Sequence, residues 1–188
     1  MTKCAAFWKH TNIRGDNRVF PCCRYKAPVT TFKGSLEDVL HSEEYVKLRN
    51  TDVSTLWECS KCMYEEKNGK ESLRQRMNKE YDTDTVGLEY LEIGFDNICN
   101  LTCDGCWSEF SSAWAKKETG VAKYTSVDEI ETVPDTVKKV LFLGGEPLMT
   151  KRHQQFLEKI NNPKQVEVIY NTNGTFLLKD DVIELLEK

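Results

Sequence analysis

The sequence predicts an α/β protein: three strand-helix units of a parallel sheet over residues 88–188, joined by a linker at 79–87 to a small cysteine-rich α+β module over residues 1–78. Three observations carry this. From residue 88 onward short apolar runs alternate with helical stretches, the pattern of a parallel sheet with crossover helices. Before residue 78 the pattern is a hairpin followed by short serine-capped helices. The eight cysteines fall in clusters: Cys4, Cys22 with Cys23, Cys59 with Cys62, and Cys99 with Cys103 and Cys106.

In chain order, "IRGDNRVFPC" reads as a hairpin, with Gly15, Asp16 and Asn17 in the turn and Val19 and Phe20 leading a strand to the cysteines. Ser35 and Ser42 are placed to cap two short helices, "SLEDVLHS" and "SEEYVKLRN". A further helical stretch is expected from Cys59 through "ESLRQRMNKE", its charges forming a solvated face. The polar segment 78–87 is the linker signal. Beyond it, "LEYLEIGF", "KVLFLGG" and "VEVIYNT" read as strands, and 108–117, "KRHQQFLEKI" and "KDDVIELLEK" as the helices that follow them. Three such units leave an unpaired apolar strand edge, so the expectation is the front part of a larger protein, or a chain whose sheet a partner completes.

Composition narrows function. Hydrophobic residues make up 39% of 188, and the longest apolar stretches, such as "VLFL" at 140–143, are far too short to span a membrane. With no signal peptide in view, a cytoplasmic location is expected and no membrane partner. The net charge of −4, with both signs interspersed, gives no nucleic-acid signal. In that compartment tight cysteine spacings favour metal ligation over disulfides. Asn100-Leu-Thr102 and Asn173-Gly-Thr175 match the glycosylation pattern, but a cytosolic chain does not meet that machinery.

Cys99, Cys103 and Cys106 follow the first strand directly, at the end where parallel α/β folds place their chemistry. Three thiolates could hold three irons of a [4Fe-4S] cluster and leave the fourth to another ligand. The alternative is zinc with a borrowed fourth ligand such as His153. Gly144, Gly145, Glu146 and Pro147 end the next strand on the same rim. There two glycines would let a ligand approach the backbone, and Glu146 offers a carboxylate to an amino group. Taken alone, the same four residues are ordinary strand punctuation. His10 and His41 are expected at the surface, and Trp8 and Trp57 are expected to enclose the first cysteine group. No residue set argues for acid-base or nucleophilic catalysis.

With both motifs in place, the sequence resembles the radical S-adenosylmethionine (SAM) enzymes, whose C-x3-C-x2-C stands here at Cys99, Cys103 and Cys106 and whose Gly-Gly-Glu-Pro stands at 144–147. The resemblance implies the first three units of a radical SAM (β/α) barrel, a [4Fe-4S] cluster whose open iron takes SAM, and Gly144 to Glu146 gripping the methionine amine. It also implies that "YNTNGT" lines the pocket through Asn171, Asn173 and Gly174, although an Asn-Gly turn ending a strand explains that segment as well. Many members carry a bulky residue where this chain has Gly105, and Trp107 either supplies that surface or is a core aromatic. The N-terminal part resembles a SPASM/twitch auxiliary module, which implies a second [4Fe-4S] cluster on Cys4, Cys22, Cys59 and Cys62, with Cys23 as the alternative to Cys22. Asn17 stands where that pattern often has glycine, and a zinc knuckle is the other reading of the four thiols. A peptide or protein substrate and an electron donor are implied as partners. Two further readings stay open: an iron-sulfur electron-transfer or binding module without catalysis, and a zinc-stabilised interaction protein.

Overall fold

A computed structural model describes residues 1–188. It is a mixed α/β chain around a six-stranded sheet. In chain order the elements are α1 (Ala6–Lys9), β1 (His10–Ile13), β2 (Arg18–Phe20), β3 (Thr30–Thr31), α2 (Leu36–His41), α3 (Glu43–Arg49), α4 (Ser60–Lys67), α5 (Leu73–Glu80) and β4 (Tyr90–Gly94). Then follow α6 (Ser112–Thr119), β5 (Lys139–Leu143), α7 (Arg152–Leu157), β6 (Glu167–Tyr170) and α8 (Asp180–Leu186).

The local signals form as their chemistry dictates, except that Ser42 starts α3 without the expected side-chain cap bond. The β1-β2 hairpin turns at Asn17, whose φ of 65° is left-handed and suits an asparagine better than most residues. Ser35 caps α2 by accepting from Asp38 N–H. The expected single helix after Cys59 is instead two: it stops at Asn68, Gly69 takes a φ of 69°, and Ser72 opens α5 with a reciprocal capping box to Gln75. Its charges are not simply solvated either, because Glu66 and Arg74 pair at 2.5 Å with both side chains mostly buried.

The strand order is β3-β2-β1-β4-β5-β6, with β1, β4, β5 and β6 mutually parallel. The hairpin of the N-terminal part therefore extends the sheet of the later units, with His10 opposite Tyr90 and Ile13 opposite Ile93. One face carries the main core. Ile13, Val19, Leu91, Ile93, Val140 and Phe142 pack there against Leu36, Leu40 and Tyr45 from α2 and α3, and Phe156 and Val182 from α7 and α8. The alternating residues put His10, Asn12, Tyr90, Glu92 and Lys139 on the opposite face, a polar cluster beside Phe20, Leu141 and Ile169.

His10 departs from expectation. It is buried, not exposed, because β1 is an interior strand with neighbours on both edges. The sheet also separates the two cysteine groups. Cys99 lies beyond the C-terminal end of β4, whereas Cys4 and Cys22 lie near the start of β1. With about 3.3 Å of rise per residue, the two ends stand on the order of 15 Å apart.

Candidate functional site

The rim after β4 is built by backbone pairing. Gly145 N–H donates to Asp96 O (3.1 Å) and Glu146 N–H to Ile98 O (2.7 Å), so the 144–146 segment continues the β4-β5 pairing into the cysteine loop. Both glycines are needed for that approach. A Cβ on Gly144, whose φ is +112°, would lie 2.7 Å from Asp96 O, and one on Gly145 would collide with Ile98 O. What approaches these glycines is the chain's own backbone, where the sequence suggested a ligand.

Glu146 is 1% exposed, and its carboxylate accepts from Leu148 N–H (3.0 Å), Thr172 O–H (2.7 Å) and Asn173 N–H (2.7 Å). It thus clasps the loop after β6 and caps the short turn that Pro147 opens. With four acceptor positions and three donors, one position on Oε2 is unfilled. Asn173 in turn donates to Asn100 Oδ1 (3.0 Å), and Asn100 to Thr175 Oγ (3.0 Å). The two asparagines set aside as glycosylation patterns are therefore a clasp between the β6 loop and the cysteine loop. Asn171 and Gly174 are exposed on the same loop.

Cys99, Cys103 and Cys106 share one loop, closed by Cys106 N–H to Cys103 O at 3.0 Å. Burial is the main cause that raises the Cys106 thiol above its ordinary value, opposed by a backbone hydrogen bond at Trp107 and reinforced by the nearby Cys99 and Cys103. Cys99 Sγ already faces Leu101 N–H (3.5 Å) and Asn173 Nδ2 (3.9 Å), the kind of donor that stabilises a cluster thiolate. Residues the sequence did not single out for this brace the loop. Ser111 donates to Leu101 O, Ser112 Oγ receives Cys99 N–H, Trp114 Nε1 donates to Cys103 O, and buried Asn97 bonds Ser108, Lys123 and Thr125. Only the serines of "FSSAW", at a helix N-terminus, carried a local signal. Trp107 is 51% exposed against Phe110, which excludes the core role.

At the other end of the sheet, Cys4, Cys22, Cys59 and Cys62 line one pocket with Phe7, Tyr25 and Met77. Burial is the main cause that pushes Cys4 to about 11 and Cys59 to about 12, each neighbouring thiol adding to it, while Arg74 opposes. Arg24 and Arg74 flank the pocket, paired with Glu65 and Glu66. Four thiols beside two guanidiniums form a donor set that fits an anionic iron-sulfur cluster, whose metal would hold the thiols deprotonated. Nowhere do three or more His, Cys, Asp or Glu side chains gather as they would to hold a single metal ion. Arg74 and Asn78 of α5 both donate to Lys3 O, and Asn78 accepts from Ala5 N–H, pinning the peptides on either side of Cys4. Trp8 is buried beside Cys4 as expected, but Trp57 is 61% exposed under Lys26, outside the enclosure.

Cys23 does not line that pocket. It is exposed beside Glu92 on the polar face of the sheet. Burial would raise Glu92, but His10, Asn12 and Tyr90 outweigh it and hold the carboxyl below its usual range. His153 is not available to the cysteine loop: it is buried, bonded to Tyr170 O–H at 2.9 Å and packed on Phe142. No helix is long and apolar enough to cross a membrane.

Two iron-sulfur domain families match this chain. An iron-sulfur cluster-binding domain model, SPASM, matches residues 4–63, and a 4Fe-4S single cluster domain model matches residues 93–187. Among curated proteins, a GTP 3',8-cyclase of Clostridium perfringens (strain SM101 / Type A) is 31% identical over 105 residues, covering 53% of this chain and 31% of the relative. A GTP 3',8-cyclase of Helicobacter pylori is 29% identical over 94 residues, covering 49% and 29% respectively. The match thus spans less than a third of each relative's length. No solved structure gives a significant match.

Proposed function

We propose that this chain, which belongs to the 4Fe-4S single cluster domain family and is a radical SAM protein with a SPASM-type iron-sulfur domain, reductively cleaves SAM at Cys99, Cys103 and Cys106 in order to modify a peptide or protein. β4, β5 and β6 with their helices are then three units of a radical SAM barrel, 1–78 is the auxiliary module and 79–87 the linker. When bound, the cluster supplies an electron and SAM the 5'-deoxyadenosyl radical with which hydrogen is taken from a substrate. The observation that carries the reading is the rim itself: three thiols on one loop, tied by backbone to Gly144–Glu146 and by Asn100–Asn173 to the β6 loop.

In this reading Cys99, Cys103 and Cys106 would hold the cluster and would leave room on it for SAM. The glycines hold the rim shut behind the cysteine loop, and Glu146 keeps the β6 loop against it. Cys4, Cys22, Cys59 and Cys62 hold a second [4Fe-4S] cluster. The auxiliary module is what supports a peptidyl substrate. The GTP 3',8-cyclases, 31% identical over 105 residues, support a nucleotide as a second reading. A cytoplasmic setting with a soluble electron donor completes the proposal.

The test is anaerobic incubation of reconstituted protein with SAM and dithionite. Formation of 5'-deoxyadenosine, lost in Cys103→Ala, is the expected result; none from a cluster-loaded protein would leave an electron-transfer module instead.

A further inference from the structure

Pro21, Cys22 and Cys23 offer two adjacent thiols to one auxiliary site, and the polar face of the sheet holds a network that touches this segment at two points. His10 Nδ1 lies 2.8 Å from Pro21 O. A carbonyl can only accept, so Nδ1 carries the proton and donates it there. Nε2 then faces Glu92 Oε1 at 3.5 Å, buried and without a hydrogen bond of its own. Glu92 is anchored to the sheet by Asn12 Nδ2 (2.7 Å) and Tyr90 O–H (3.2 Å), and the Cys23 thiol lies against its carboxylate. One end of the network grips the peptide before Cys22, and the other stands beside Cys23.

We infer that His10 and Glu92 are positioning residues that select Cys22 over Cys23 as the auxiliary ligand, leaving Cys23 a free thiol on the polar face of the sheet. The inference rests on the auxiliary-cluster reading above. Cys22 and Cys23 open a turn closed by Tyr25 N–H to Cys22 O (3.1 Å), which sets Cys22 in the pocket lining and leaves Cys23 outside it. Turning the segment over would break the His10–Pro21 bond and bring Cys23 away from Glu92. Since Glu92 sits on β4, the strand that leads into Cys99, the choice of ligand at one end of the sheet is made by a residue of the strand that serves the other.

The test is alkylation of the anaerobically reconstituted full chain with iodoacetamide, mapped by peptide mass, alongside iron content and the electron paramagnetic resonance (EPR) spectrum. Wild type is expected to hold about eight irons, as two cubane clusters require, with Cys23 labelled and Cys22 protected. Cys23→Ser should keep the auxiliary signal, and Cys22→Ser should lose it. In His10→Phe and Glu92→Leu the protection is expected to spread to Cys23 and the auxiliary spectrum to change. His10→Asn, which restores a donor near Nδ1, should return both to the wild-type pattern and separates positioning from a general loss of folding. Cys22 labelled with Cys23 protected in wild type, or a pattern unmoved in both disrupting variants, overturns the inference. About four irons with both thiols labelled in wild type overturns the auxiliary-cluster reading on which it stands.

Discussion

At the scale of single residues, the rim depends on groups whose role is to hold backbone together. Gly144 combines a φ of +112° with a Cβ position 2.7 Å from Asp96 O, so Gly144→Ala forces both strain and displacement. A loss of about 2–3 kcal/mol is expected in urea unfolding, with a weaker response of the cluster spectrum to SAM. Glu146→Ala leaves Leu148 N–H, Thr172 O–H and Asn173 N–H without their acceptor and is expected to cost about 3 kcal/mol. His153 gives a pH signature. Burial lowers its pKa, so the folded state binds its proton less readily than the unfolded chain. Its contribution to stability is complete above the ordinary histidine value of about 6.5 and is lost as pH falls through the folded value. Unfolding curves of His153→Gln should lose that part of the acid dependence. The motif residues were legible because cysteine spacing and a Gly-Gly-Glu-Pro run are local. Their partners were not: Asn100 meets Asn173 across 73 positions, and His10 meets Glu92 across 82, which no local pattern encodes.

At the scale of elements, punctuation was read well and continuity less so. Asn17 and Ser35 announced a turn and a helix start, and both stand where their side-chain chemistry put them. The break between α4 and α5 was hidden because "KNGKES" reads as one more polar stretch of helix until Gly69 is seen in a left-handed conformation. That break matters to the auxiliary pocket, since it lets α5 return Arg74 and Asn78 to the peptides around Cys4. Ser72 holds the corner, with Oγ donating to Glu66 (2.6 Å) and accepting from Gln75 N–H (3.1 Å). Ser72→Ala is expected to cost about 1–2 kcal/mol and to lower iron retention at the auxiliary site, read by denaturation and by iron content after gel filtration.

For the whole molecule, the parallel pairing of β1 with β4 makes one sheet of two sequence regions that look independent. Composition gave no hint of it, because the pairing joins residues 80 positions apart and the segment between reads as a linker. The consequence is a shared core. Leu91 and Ile93 pack with Ile13, Leu40 and Tyr45, so a fragment of residues 79–188 would expose an apolar face and a strand edge. Circular dichroism and gel filtration of that fragment are expected to show aggregation or loss of cooperative unfolding. The same sheet sets the two thiol groups at opposite strand ends, with the polar face between them. The most direct test of the central claim is iron, acid-labile sulfide and zinc content after anaerobic reconstitution, with the EPR spectrum of the reduced protein recorded with and without SAM. Two cubane clusters predict about eight irons with matching sulfide, and a spectrum that changes when SAM reaches the open iron at Cys99, Cys103 and Cys106. Zinc without sulfide, or a cluster spectrum indifferent to SAM, would contradict it.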